Sequence, residues 1–166
     1  MGFRDLLADA EVVAETTSCI HEIFDYSKNL NNCPLLFESI KEANGHRAAL
    51  NLLDRGLLCK TLGIADSELI DILAEAMANP IPTREVEEAK VLECSMDVDL
   101  TRLPIPHHHR EDVGRYMSAS LIIAEYNGIR NVSFHRQLVL SKNELAARLV
   151  PRHLRTMVDE ARSVGD

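Results

Sequence analysis

Three places in this 166-residue chain combine residue types that can do chemistry. The first is the run Asn131-Val132-Ser133-Phe134-His135-Arg136. Alternation along a strand puts Asn131, Ser133, His135 and Gln137 on one face, and Val132, Phe134, Arg136 and Leu138 on the other. Arg136 therefore falls on an otherwise apolar face, where a guanidinium must reach solvent, pair with an acid or meet an anionic ligand. The second place is His153, beside Arg152 and just after Pro151 at the expected start of a helix, whose unpaired N–H groups suit anions. The third is His107-His108-His109. Adjacent residues of an extended chain point in alternating directions, so three consecutive imidazoles do not readily share one ion, and a polar loop is the expected role. Spacing alone establishes no function for any of the three.

The elements that must position these residues follow from periodicity. Phe3, Leu6, Leu7, Ala10, Val13 and Ala14 have helical spacing and predict an opening amphipathic helix. Ser18 to Phe24 reads as a short β-like stretch, Asn29 to Asn32 as a loop, and Pro34 to Ile40 as a buried strand followed by a turn at Gly45. Arg55 to Leu62 is a short helix stopped by Gly63. Asp66 suits the N-cap of a second helix whose Leu69, Ile72, Leu73, Ala76 and Met77 share a face, ended by Pro80 and Pro82. Residues 79–88 are the best linker, Val91 to Cys94 a strand, and Asp97 to Arg110 irregular. Ser118 to Tyr126 and Arg130 to Leu140 are two β-rich runs around Asn127-Gly128, a favoured hairpin turn pair. Lys142 to Val150 fits helix or strand, with helical propensities, and Pro151 opens a final helix through Arg162.

Composition excludes several classes. At 46% hydrophobic residues the chain can bury a real core, and it carries no 18-residue apolar run to span a membrane. The N-terminus enters an amphipathic pattern directly, without a secretory apolar region. The four cysteines (Cys19, Cys33, Cys59, Cys94) form no C-x-x-C pair and are expected as free thiols in a reducing cytoplasm. The net charge of −8 argues against nucleic acid. The charge is uneven, however. Residues 1–100 hold 8 Lys/Arg against 19 Asp/Glu, and residues 101–166 hold 10 against 7. A locally basic final third can accept a small anionic ligand such as a phosphate-bearing cofactor.

Three blocks taken together resemble the central part of UbiD-family decarboxylases: Gly114-Arg115-Tyr116-Met117-Ser118-Ala119-Ser120-Leu121-Ile122-Ile123-Ala124, then Gly128 to Arg136, then Arg148-Leu149-Val150-Pro151-Arg152-His153. Leu35 to Glu38, Asn51-Leu52, Leu62-Gly63, and Asp97 to Leu100 followed by Leu103-Pro104 are similar to the family's N-terminal half. The resemblance runs from about Phe3 to about His153. It implies an α/β or α+β fold: a mixed α/β layer over 1–78, a linker and irregular segment over 79–110, and the start of a split β-barrel-like flavin-binding domain over 111–166.

The resemblance further implies prenylated FMN, a divalent metal (usually Mn2+) and often K+, with removal of CO2 from aromatic or α,β-unsaturated acids. Asn131 and His153 become metal ligands tying down the flavin phosphate. Arg136 becomes the catalytic cation near flavin and substrate carboxylate. Ser133, Phe134, His135 and Arg152 become cofactor-lining residues. A flavin prenyltransferase supplies the cofactor, and quinone biosynthesis is the commonest role in the family. Because Asn131 and Arg136 are five residues apart, facing one cofactor together predicts a bulge or break in the strand between them.

The sequence also departs from the family. UbiD enzymes are much longer and take from beyond this stretch an acid that completes the metal site, a proton donor and a partner for the arginine. Asp159 and Glu160 follow His153 too closely to stand in for them. The expected role is therefore the N-terminal piece of an enzyme, truncated or split, that works with a C-terminal UbiD-like polypeptide. Alternatives are a non-enzymatic flavin- or phosphate-binding or assembly module, and a generic α/β domain. An interrupted barrel exposes strand edges, so self-association is expected.

Overall fold

A computed structural model describes residues 3–29 and 33–165 of the chain. The expected loop at Asn29 to Asn32 lies largely outside the described residues. The chain forms two compact units, one comprising Met1–Thr17, Phe24–Ile40 and Gly45–Asp97, the other Ser18–Ile23, Lys41–Asn44 and Val98–Asp166.

The first unit is built on a small mixed sheet. Strand β1 (Glu11–Val13) runs parallel to β2 (Leu35–Phe37), which pairs antiparallel with β3 (Ala48–Leu50). Leu35 and Phe37, on one face of β2, are fully enclosed and form the core with Val13, Leu52, Cys59 and Leu69. The predicted buried strand over Pro34 to Ile40 is thus found, shortened to Leu35–Phe37. The opening helix is not. Phe3–Leu7 makes a 3-10 turn and the chain then straightens, because β-branched Val12 and Val13 pair with Leu36 and Phe37 and the Glu11 N–H donates to Pro34 O at 2.8 Å. Helix α2 (Arg55–Leu62) is capped by Asp54, whose carboxylate accepts from the Gly56 and Leu57 N–H groups. Gly63 ends it in the left-handed region at φ 69°. Helix α3 (Leu69–Ala78) starts after a 3-10 turn at Asp66–Glu68. Asp66 is not its N-cap; that carboxylate accepts from Arg55 Nε at 2.6 Å, while Glu68 reaches back to the Ala65 N–H. The predicted strand at Val91 to Cys94 is a 3-10 turn over Lys90–Leu92 with exposed apolar side chains, and among the described residues no strand pairs with it.

Helix α1 (Glu22–Asn29) replaces part of the β-like stretch expected at Ser18 to Phe24. The Ser18 N–H donates to the Glu22 carboxylate at 2.7 Å, and His21 takes φ 69°, so the chain turns into a helix where a strand would have continued straight.

The second unit carries the hairpin. Strands β4 (Tyr116–Tyr126) and β5 (Ile129–Val139) pair antiparallel around Asn127 and Gly128, both at positive φ (50° and 74°) as a two-residue type I′ turn requires. Strand β6 (Leu145–Ala147) adds to β5, overriding the helical propensity of Lys142 to Val150. Helix α4 (His153–Val164) packs on β4 and β5 and buries Leu154 and Met157.

Candidate functional site

The hairpin sorts its side chains by face. On one face of β5, Asn131, Ser133, His135 and Gln137 are half-buried or buried; on the other, Val132, Phe134 and Arg136 are exposed. The polar row is joined by hydrogen bonds. Asn131 Nδ2 lies 3.0 Å from Ser133 Oγ, Ser133 Oγ lies 3.0 Å from His135 Nε2, and His135 Nδ1 lies 3.2 Å from Arg148 O. Gln137 Nε2 donates to Ser120 Oγ at 2.7 Å, and that hydroxyl donates to His135 O at 3.2 Å. His135 is only 8% exposed and both ring nitrogens have partners, which is what lets an imidazole be buried there.

Arg136 has its own setting. Its guanidinium lies over the Tyr116 ring, 3.9 Å from the centroid, and Nη2 pairs with Asp112 Oδ1 at 3.1 Å. Burial pushes the Asp112 carboxyl up, but the His109 N–H and the Arg136 guanidinium outweigh it and hold the group below the ordinary carboxylate range. Neither Tyr116 nor Asp112 was singled out by sequence reasoning as a partner of Arg136. The acid expected from beyond this stretch as the partner of the arginine has, in this chain, a local counterpart in Asp112.

The bulge expected within β5 is absent. Residues 131–135 pair one-for-one with Ala124–Ser120, so Asn131 and Arg136 lie on opposite faces of β5, which counts against both facing one cofactor. The irregularity is on the partner strand. Gln137 to His135 is two steps along β5, whereas Met117 to Ser120 is three along β4, so β4 carries one extra residue opposite Arg136. The small residues Ser118 and Ala119 sit at this point, and nothing in their periodicity announces a register change.

His153 is exposed at the first position of α4, and Arg152, its N-cap, is exposed as well, with its carbonyl accepting from the Thr156 N–H at 3.1 Å. No hydrogen bond or ion pair among the described residues joins either to Asn131 or Arg136. The triple histidine is structural at its first member. His107 forms a β-bridge with Ile20, packs its ring tilted against that of His21 at 4.7 Å between centroids, and has Nε2 3.1 Å from Asp112 O. Burial, then His109 beside it, lowers the pKa of His108. Among the described residues no three His, Cys, Asp or Glu side chains converge to hold a metal ion. A divalent ion of the Mg2+ or Mn2+ kind needs about six oxygen or nitrogen donors. Asn131 offers a carboxamide oxygen that none of its hydrogen bonds among the described residues engages, and His153 offers an exposed imidazole. The donor types fit, but they are two of a larger set.

The fold and this hairpin agree with what is known of similar proteins. Residues 82–165 match the family model described as UbiD, the 3-octaprenyl-4-hydroxybenzoate carboxy-lyase Rift-related domain, and the chain belongs to that family. An anhydromevalonate phosphate decarboxylase of Methanothermobacter thermautotrophicus is 40% identical over 99% of this chain, and one of Methanosarcina mazei 32% identical over 100% of it. In both cases the match takes in 40% of the relative. The UbiD-class enzyme HmfF of Pelotomaculum thermopropionicum, solved in complex with FMN, superposes with a TM-score of 0.89 at 33% identity over 98% of this chain and 40% of that one. An evolved dimeric form of HmfF, in complex with prenylated FMN, gives the same TM-score. The chain therefore spans about 40% of the length of the relatives it matches.

Proposed function

We propose that this chain is the N-terminal part, or a separate N-terminal subunit, of a decarboxylase that depends on prenylated FMN and a divalent metal, with Mn2+ the ion that the family resemblance implies. It needs a C-terminal UbiD-like polypeptide for activity. The observation that carries this reading is that the whole chain, and not the hairpin alone, matches the two archaeal decarboxylases while covering 40% of their length. The same match favours anhydromevalonate phosphate over an aromatic acid as substrate, within the wider class of α,β-unsaturated carboxylic acids.

Each candidate residue has a chemical part. Asn131 and His153 hold the ion, and through it the flavin phosphate. Arg136, a planar fork of donors on the face of β5 opposite Asn131, orients the substrate carboxylate from that face, with Arg152 as a further cation for phosphate. Ser133, Phe134 and His135 shape the strand that lines the cofactor. Prenylated FMN, when bound, supplies the electron sink for the departing carboxylate.

The test is to mix the purified chain with a polypeptide carrying the remaining 60% of the family pattern, prenylated FMN and Mn2+, and to follow CO2 release. Turnover of anhydromevalonate phosphate only in the full mixture is the expected result. Bound flavin without turnover of this or any aromatic acid overturns the reading, and favours a flavin-binding or assembly module.

A further inference from the structure

The polar row on β5 has a direction, and the direction is set at the main chain of residue 148. A carbonyl oxygen only accepts, so the His135 nitrogen 3.2 Å from Arg148 O, Nδ1, carries the proton. In the neutral imidazole Nε2 then holds a lone pair, and Ser133, 3.0 Å away, must donate its hydroxyl proton to it. That hydroxyl has one proton. With it committed, Ser133 Oγ can only accept from Asn131 at 3.0 Å, and the carboxamide atom that donates is Nδ2. Turning the amide over would set Oδ1 against Oγ with no proton between them.

We infer that Ser133 and His135 are positioning residues that lock the Asn131 carboxamide with its oxygen directed away from the row, presented to a divalent ion. The inference rests on reading Asn131 as a metal ligand. Several features of the hairpin support the lock. His135 is buried and satisfied on both nitrogens, so its ring cannot turn without losing two bonds. The β4 residues opposite Asn131 and Ser133 are Ala124 and Ile122, which offer no side chain to compete for the amide. Ser120 and Gln137 tie the far end of the row to the strand at the bulge. A ligand amide that is free to flip presents nitrogen to the ion part of the time, whereas a locked one always presents oxygen. Loss of such an outer partner commonly weakens metal affinity about 10- to 100-fold.

Nuclear magnetic resonance on the labelled chain tests this without any turnover. The ring nitrogens of His135 report its tautomer directly, and Mn2+ added alone broadens resonances near its binding site even when binding is weak. The proton is expected on Nδ1. The Asn131 side-chain amide is expected to broaden with Mn2+, with the midpoint about 10-fold higher in Ser133→Ala and restored in Ser133→Thr, which keeps the hydroxyl. Asn131→Ala separates the two levels of the claim. If the wild type shows no broadening at position 131, or Asn131→Ala leaves the Mn2+ response unchanged, the ligand reading fails and the orienting role with it. If Asn131 responds in the wild type but Ser133→Ala has the same midpoint, or the proton sits on Nε2, the lock alone is overturned.

Discussion

Arg136 stacks on Tyr116 at 3.9 Å because a bulge opposite Arg136 shifts the alternation of β4. Tyr116 pairs with Leu138, which puts the ring on the face of Phe134 and Arg136. Were β4 to keep regular alternation from Ser120 back to Tyr116, with no bulge, Tyr116 would pair with Val139 and fall on the face of Gln137, out of reach of the guanidinium. The bulge thus re-aims a ring on β4, where the family resemblance led us to expect a break in β5. An exposed cation–π pair contributes about 0.5–1 kcal/mol. Tyr116→Leu is expected to lower the melting temperature by about 1–4 °C, and Tyr116→Phe to stay near the wild type. Equal melting of the Leu and Phe variants would remove the stack from the account.

The Arg136–Asp112 pair makes a pH prediction. The folded state holds the Asp112 carboxyl below its ordinary value, so folding binds fewer protons there than the unfolded chain does. The stabilising contribution is complete above the unfolded carboxylate value, about 4, and disappears as pH falls through the depressed folded value. Thermal melts of wild type and Asp112→Asn should therefore differ at pH 7 and converge in acid. A gap that stays constant from neutral to strongly acid solution would show that the carboxylate charge is not what the variant removes.

What was legible in the sequence had local chemistry behind it. The hairpin followed from two alternating runs around Asn127-Gly128, and α2 from its stop at Gly63, because a positive φ at those positions selects Asn and Gly. The polar row was legible too, since faces alternate whatever the strand pairs with. The rest depended on partners distant in sequence. Val12 and Val13 left a helical pattern because β2 was there to pair with, and Leu145–Ala147 left one because β5 was. Val91 and Leu92 have strand-forming character but no pairing strand among the described residues, and form a 3-10 turn. The partners of Arg136 were hidden for the same reason. Asp112 is 24 residues away, and Tyr116 reaches the right face only through a bulge among small residues that carry no period.

The outward face of the hairpin predicts association. Phe134 pairs with Leu121 and Val132 with Ile123, and all four side chains are more than half exposed, Phe134 at 72%. Apolar side chains contiguous on one sheet face favour contact with another surface. The isolated chain is expected to self-associate as concentration rises, and Phe134→Ser combined with Ile123→Ser to shift it toward monomer. The complementary polypeptide should compete with that association. Light scattering across a concentration series decides the matter: a wild type that stays monomeric throughout would mean this face drives no contact between copies.

A last prediction concerns the turn at Ser18 and Cys19, both nearly inaccessible. The Glu42 carboxylate accepts from Ser18 Oγ at 2.6 Å and from the Cys19 N–H at 2.9 Å. Burial raises the carboxyl, but these hydrogen bonds outweigh it and hold Glu42 below its usual value. Cys19 moves the other way: burial, then the Glu42 carboxylate beside it, pushes the thiol up to about 11. Glu42→Ala leaves a buried N–H without its acceptor, at a cost of about 1–3 kcal/mol. The turn should then open more often and expose the thiol. In the native chain the exposed Cys94 should react first with iodoacetamide at pH 8 while Cys19 stays protected. Glu42→Ala should speed alkylation of Cys19 about 5- to 100-fold if local opening controls it, with Cys94 unchanged. Glu42→Gln keeps an acceptor oxygen and should fall between the two. If Cys19 in the Glu42→Ala variant stays as protected as in the wild type, the carboxylate is not what holds this turn shut.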